Sequence, residues 1–250
     1  MRLDVYLSEK GLAASRTEAK GFITSGSVKV FGKAVTKPSY DIDPELAEVE
    51  VDKSGKLFVS RGGLKLLAAL ESFGVSVSGK LCIDIGASSG GFTDCLLQRG
   101  AKHVIAIDSG HSQLAPSLAC DPRVSSIECY NARYLAPGDL EYVPSVAVMD
   151  VSFISATYII GGIYEALEDE GDFICLIKPQ FEVGKSNIGK GGIVKNEKAR
   201  AAALKKVIDY AESVGFFCVG HIQSPIEGGD GNVEFLAHFK KGTGKPSLLI

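Results

Sequence analysis

Apolar residues are sparse and regularly spaced in the first part of this chain and dense in the remainder. Near the start, Leu3, Tyr6 and Leu7 recur at the spacing of one helical face, and Gly11 supplies a stop. Ser15 and Glu18 form an S-x-x-E box that would cap a second helix carrying Arg16, Ala19, Lys20 and Ile23. The segment SGSVKVFGKAV alternates as a half-exposed strand does and turns at Gly32, which predicts a small hairpin. After the extended KLFV, a helix is predicted with Leu64, Leu67, Ala68 and Phe73 on its buried stripe. Short apolar runs then alternate with helical periods: strands at 81–85, 103–108, 124–129, 146–149 and 173–177, helices at 91–99, 156–168 and 197–214. Two last runs, FFCVGHIQSPI and NVEFLAHF, read as an antiparallel hairpin around EGGDGN. Continuous apolar strands between helices belong to a sheet covered on both faces. The fold class is therefore α/β, a Rossmann-like, mostly parallel sheet closed by an antiparallel hairpin and preceded by a small α+β domain. The expected boundaries are residues 1–59 and 60–250.

Composition narrows the setting. No apolar run approaches the ~20 residues of a membrane span, and Arg2, Asp4 and Glu9 crowd the first turns, so neither a membrane protein nor a signal peptide is expected and the reading is cytoplasmic. Six cysteines form no C-x-x-C pair and sit mostly inside apolar runs, which implies buried free thiols without metal or disulfides. The four histidines show no ligand spacing and are expected to be structural. The net charge of -3 conceals a segregation. From Met1 to Tyr40, seven lysines and arginines face three acids, for +4, whereas residues 41–55 hold six acids against Lys53. A basic head is the place to look for a nucleic-acid partner. EVGKSNIGKGGIVKNEK reads as a mobile loop.

The densest information lies between Leu81 and Asp108. A buried strand ends at Asp84 and runs into Gly86, Ala87, Ser88, Ser89, Gly90, Gly91 and Phe92; a second strand ends on Asp108. Glycine lets a backbone approach a ligand, and an acid at the next strand tip can accept bonds from both ribose hydroxyls. The pattern is D-x-G-x-x-x-G-G and lacks the G-x-G-x-x-G that seats a pyrophosphate, so S-adenosyl-L-methionine fits better than a dinucleotide and a dehydrogenase is disfavoured. Phe92 suits a core position better than an adenine contact, and Asn131, after the third strand, fits either an adenine contact or a turn.

Four charges stand where this fold should be apolar or should end its strands: Lys65 in the first helix of the sheet domain, Asp150 after VAVM, Lys178 after FICLI and Glu234 in NVEFLAHF. Strand ends at the carboxyl edge of an open α/β sheet meet at the ligand crevice, which places Lys178 beside the donor. A ribose hydroxyl must lose its proton as it attacks a methyl group, and a lysine with some neutral fraction can take it, with Asp150 and Glu234 fixing the amine. Asp150 could also cap a helix, Glu234 could pair on an exposed edge, and either lysine taken singly could be a solvated surface charge.

RLDVYL, SRTEAKGFITSGSVKVFG and KPSYDI resemble the small RNA-binding domain first known from ribosomal protein S-four. SRGGLK, DIGASSGGFTD, IDSG, YNAR, MDVSFIS, IKPQFEVGK and NVEF resemble, in order, the hemolysin A (TlyA) family of rRNA methyltransferases, and the Lys-Asp-Lys-Glu order is similar to the FtsJ-like tetrad. The resemblance implies ribose 2'-O-methylation of a cytidine in large-subunit rRNA and, in some members, in small-subunit rRNA. Its tetrad falls on Lys65, Asp150, Lys178 and Glu234, with Lys178 the base. Arg16 and Lys20 fall at phosphate-contacting positions, and Arg2, Lys29, Arg61 and Lys185 are further RNA-binding candidates. The linker KLFV lacks the Arg-Ala-Trp-Val of some members, and the short termini resemble the subgroup acting on the large subunit only. The expected partner is ribosomal RNA or a ribosomal subunit, and the expected state a monomer. The competing classes are an RNA-binding protein with an inactive methyltransferase fold and a cytolytic hemolysin.

Overall fold

Leu3, Tyr6 and Leu7 line one side of α1 (Leu3–Glu9) and pack with Ala19 and Ile23 of α2 (Arg16–Thr24), so the helical spacing produces a buried face. The computed structural model describes residues 1–13, 15–24, 26–51, 58–228 and 231–242. The chain divides into two units, Met1–Arg61 and Gly62–Ile250. The side chain of Glu18, and with it the expected capping box, lies outside the described residues, as do Lys56 and Leu57 of the linker.

In the first unit β1 (Val28–Val30) pairs antiparallel with β2 (Lys33–Ala34) through a two-residue turn in which Phe31 and Gly32 have φ of 49° and 72°. Positive φ at both turn residues matches the twist of the strands, and it strains Phe31, which is not glycine. The expected hairpin is in fact a three-stranded sheet. β3 (Val49–Val51) joins the other side of β1, with Lys29 opposite Glu50. Three residues set in an acidic run give too short an alternation to stand out.

The second unit opens with α3 (Gly62–Phe73). The expected stripe is rotated: Gly63, Lys65, Leu66, Ala69 and Leu70 are buried, and Leu64, Leu67, Ala68 and Phe73 only partly so. A charged residue on the inner face misled the hydrophobic count, and Lys65 can lie there because a carboxylate meets it.

There follow β4 (Leu81–Ile85), α4 (Gly91–Gln98), β5 (His103–Ile107), α5 (Pro116–Ala119), β6 (Val124–Ile127), β7 (Val146–Met149), α6 (Ile160–Ala166), β8 (Asp172–Ile177), α7 (Pro179–Glu182), α8 (Glu197–Ser213), β9 (Phe216–Gln223) and β10 (Phe235–Lys241). The sheet order is β6-β5-β4-β7-β8-β10-β9, parallel through β8, with β10 antiparallel to both neighbours. Its central strands are buried on both faces because helices cover both: β7 and β8 are buried at every position. The order reverses between β4 and β7, which opens a crevice at the carboxyl edge. Since β10 runs the other way, its first residue, Phe235, lies opposite Ile177, the last of β8. This reversal brings Glu234 to the edge where Lys178 emerges, although Glu234 itself precedes the strand.

Cys82, Cys95 and Cys175 are buried in strands or helix, whereas Cys120 and Cys129 are exposed. β6 stops at Ile127, short of the expected end, so Cys129 falls in the following turn. The expected mobile loop is pinned: buried Asn232 accepts from Val194 N at 2.9 Å and donates to Gly192 O at 3.0 Å. Among the described residues no helix is long and apolar enough to cross a membrane.

Candidate active site

The four charged side chains come from different parts of the chain and form two pairs; Asp150, Lys178 and Glu234 line the cleft, and Lys65 is buried behind Glu234 without lining it. Lys178 Nζ lies 2.6 Å from Asp150 Oδ1 and donates to Ser152 Oγ at 2.8 Å. Lys65 Nζ forms a buried ion pair with Glu234 Oε2. The expectation that both carboxylates serve one lysine is thus corrected: each ammonium has a carboxylate of its own. The register explains the first pair. Met149 lies opposite Cys175, so β8 extends two residues further and delivers Lys178 beside the segment that follows Asp150. Pro179 opens α7 immediately afterwards, fixing the backbone from which the amine projects.

Two cavities adjoin at this point. The first, of about 590 Å3, is lined by the expected residues Gly86, Ser88, Asp108, Asn131 and Asp150. The second, of about 380 Å3, is lined by Lys178 and Glu234 with Gln180, Phe181 and Ile188. Ser152 and Phe153 line both. Phe153 is 92% exposed, adopts φ of 64° and lies 5.2 Å from the ring of Phe181. A large aromatic in left-handed backbone and open to solvent is unusual, since both features cost free energy.

The remaining candidates of the glycine-rich segment do not line the cavity. Asp84, Ala87, Gly90, Gly91 and Phe92 are buried behind it, Phe92 as a core residue, and Ser89 is likewise not in its wall. Gly90 is required for a different reason from the one expected: it caps α4 with φ of 92°, and a Cβ there would overlap Leu118 and Leu114. At Gly86, with φ of 82°, a Cβ would overlap the Asp150 carbonyl. That close approach lets β4 and β7 end side by side at the cleft. Asp108 is held in place by backbone donors, Ser88 N at 2.8 Å and Gly110 N at 2.7 Å. Asp84 accepts from Thr93 Oγ1 at 2.7 Å, and burial pushes its carboxyl up to about 7.

In the first unit, Arg2 and Arg16 share one buried carboxylate. Arg2 Nε donates to Asp4 Oδ1 at 2.9 Å and Arg16 donates to Oδ2 at 3.0 Å. The Arg2 bond, with Arg16 behind it, holds the Asp4 carboxyl down at about 2. Both guanidinium groups remain about half exposed, and Lys20 and Lys29 are exposed. Arg61 is half-buried, and the side chain of Lys185 lies outside the described residues. Sequence reasoning assigned no role to Asp4, Ser152, Phe153, Glu182 or Asn232, although they lie within RLDVYL, MDVSFIS, IKPQFEVGK and NVEF, and their place in those segments is the signal that could have found them.

A seven-stranded sheet with a reversed strand beside its fifth, and a paired lysine and aspartate where two cavities meet, define a Rossmann-like methyltransferase. The family model of the FtsJ-like methyltransferase matches residues 58–241, and that of the S4 domain matches residues 1–46. The chain is 41% identical over 242 residues to the 16S/23S rRNA (cytidine-2'-O)-methyltransferase TlyA of Mycobacterium tuberculosis, covering 97% of this chain and 90% of that one. It is 45% identical over 240 residues to Hemolysin A of Brachyspira hyodysenteriae, covering 96% and 99%. A solved candidate hemolysin of Streptococcus thermophilus is 44% identical, with a TM-score of 0.75 over 96% of this chain and 88% of that one. The chain therefore belongs to the FtsJ-like methyltransferase family, in the group that joins this domain to an S4 domain and includes TlyA and Hemolysin A.

Proposed function

We propose that this protein is a cytoplasmic, monomeric ribose 2'-O-methyltransferase that uses S-adenosyl-L-methionine to modify a cytidine of ribosomal RNA. The observation that carries the reading is the Lys178–Asp150 pair at the junction of the two cavities. The first cavity has the size and lining for the donor: Asp108 would accept from its ribose hydroxyls, Asn131 would face its adenine, and Gly86 and Ser88 would form the floor. When bound, the cofactor supplies a methyl group on a sulfonium centre. The second cavity receives the target nucleotide, drawn from its stack, and Phe153 offers a ring face to the base. Lys178 Nζ would accept the proton of the attacking 2'-hydroxyl, whose oxygen would take the methyl group that the bound donor supplies. Asp150 and Ser152 hold that nitrogen in line, and Asp150 balances the ammonium once formed. Lys65 and Glu234 fix the wall behind it. The basic residues of the first unit, Arg2, Arg16, Lys20 and Lys29, dock on rRNA phosphates, and Arg61 and Lys185 are further candidates for phosphate contact.

Lys178→Ala should lower methyl transfer from tritiated S-adenosyl-L-methionine to large ribosomal subunits by about 100- to 10,000-fold. Calorimetric titration should show cofactor affinity unchanged. Retained turnover removes Lys178 from the mechanism.

A further inference from the structure

We infer that Glu182, which has no part in the proton transfer itself, is a positioning residue for it: its buried carboxylate ties the loop bearing Asp150 and Ser152 to the turn bearing Lys178. The inference rests on the methyl-transfer reading above. Glu182 ends α7, four positions after Lys178, and its side chain is 2% exposed. Oε1 accepts from Ala156 N at 2.7 Å, and Oε2 accepts from Ser155 Oγ at 2.6 Å and from Lys206 Nζ at 3.0 Å. Lys206, on α8, also donates to the main-chain oxygen of Glu182 at 3.1 Å.

These bonds close a ring. From Lys178 the chain passes through α7 to Glu182; the carboxylate crosses to Ser155 and Ala156; the chain returns through Phe153 to Ser152; and Lys178 Nζ donates to Ser152 Oγ at 2.8 Å. The other end of the loop is anchored where Asp150 N donates to Ile85 O at 2.9 Å. Asp150 and Ser152, the two groups that hold the amine, thus lie on a span fixed at one end by the sheet and at the other by Glu182. Releasing the far end lets that span shift against Lys178, and a displacement of about 1 Å can cost on the order of 100-fold in rate.

An ion pair with one partner half exposed, as Lys206 is, contributes little to stability. Three donors converging on one carboxylate do define a geometry. Among the described residues two acidic side chains join these segments, Asp150 at Lys178 itself and Glu182 at the far end of the loop.

The test is Glu182→Gln, which keeps the volume and one amide oxygen for Ala156 N but loses the charge that gathers Ser155 and Lys206. With tritiated S-adenosyl-L-methionine and large ribosomal subunits, the single-turnover rate should fall about 10- to 100-fold. The KM for subunits and the cofactor dissociation constant should each stay within about twofold. Lys206→Met should lower the rate less while leaving the same constants unmoved. A folded Glu182→Gln protein with wild-type turnover overturns the inference. So does a rate that falls only in proportion to cofactor binding and melting temperature, the signature of a merely structural residue. If Glu182→Gln does not fold, Lys206→Met decides by the same criteria. Amide hydrogen exchange across residues 150–156 reads the tie without turnover: faster exchange in the variant supports it and an unchanged pattern sinks it. If the wild-type protein itself transfers no methyl group, the proposed function fails, and the exchange measurement still judges the tie.

Discussion

At the end of β4 a carboxylate sits where water does not reach. Asp84 Oδ2 is held by Thr93, and Oδ1 has no partner. Burial is the main influence on this group, the Thr93 bond opposes it, and the charges of Asp150 and Asp108 add to it, so the carboxyl is raised from 3.8 to about 7. A folded-state value above the unfolded one means that the associated stability is fully present below about pH 4 and is lost as pH rises toward 7. The loss amounts to a few kcal/mol, on the order of the shift converted at 1.36 kcal/mol per unit. Asp84→Asn should remove this dependence: urea unfolding from pH 4 to pH 8 should show a shallower decline for the variant, and parallel curves would contradict the assignment. Asp84, Gly86, Asp108 and the four paired charges are legible in the sequence because each ends an apolar run or interrupts one. Ser152, Glu182 and Lys206 are not, since a serine in a loop or a glutamate and lysine near helix ends are ordinary until one knows which segments meet. Phe153 is no more legible: the sequence assigns it no role, and it is open to solvent where the loop turns through left-handed backbone.

At the scale of elements, continuous apolar runs mark β4, β5, β7 and β8, and the terminal hairpin follows from its Gly-rich break. α3 shows where periodicity fails. The face that packs inward is chosen by the Lys65–Glu234 pair as well as by leucines, and Glu234 lies far along the chain, just before β10. The loop over 182–198 illustrates the same limit, because a buried asparagine from outside it bonds Gly192 and Val194 where glycine content alone suggested freedom. In the first unit α1 and α2 are joined electrically: Asp4 lies on the apolar face of α1 and draws Arg2 and Arg16 to one carboxylate. The three groups together carry a net +1, presented as two guanidinium groups of fixed separation, which suits neighbouring phosphates. Replacing both arginines by glutamine keeps donors for Asp4 while removing the cationic pair. In filter-binding assays with rRNA fragments, affinity should fall and the slope of log K against log salt should flatten by about 1 to 2. Unchanged affinity and slope in a folded double variant would locate the docking surface elsewhere.

For the molecule as a whole, each unit has its own core and its own buried aspartate paired with cations, and acid should attack the two separately. Asp172 begins β8 at the sheet edge opposite the cleft, where it meets His238 Nε2 at 2.8 Å and Lys80 Nζ at 3.2 Å. Burial alone would raise its carboxyl, but the bonds from His238 and Lys80 and the charge of Lys240 prevail and hold it at about 2. In the first unit the guanidinium bonds of Arg2 and Arg16 hold Asp4 at about 2 as well. Both values lie below the unfolded ones, so the stability they confer is present above about pH 4 and is lost as pH falls toward 2. The partly exposed lysines around Asp172 are screened by solvent, which limits its share to roughly 1–2 kcal/mol. Neither aspartate touches the cleft, and a 66-residue separation between Asp172 and His238 hides that pair from any local reading of the sequence. Asp172→Asn should move the acid transition of the methyltransferase unit to higher pH and leave that of the first unit in place, and Asp4→Asn should do the converse. Hydrogen exchange followed by proteolysis, taken stepwise from pH 5 to pH 2, assigns each transition to its residues. If either substitution shifted both transitions together, the units would unfold as one body and the separate anchoring argued from their cores would be wrong.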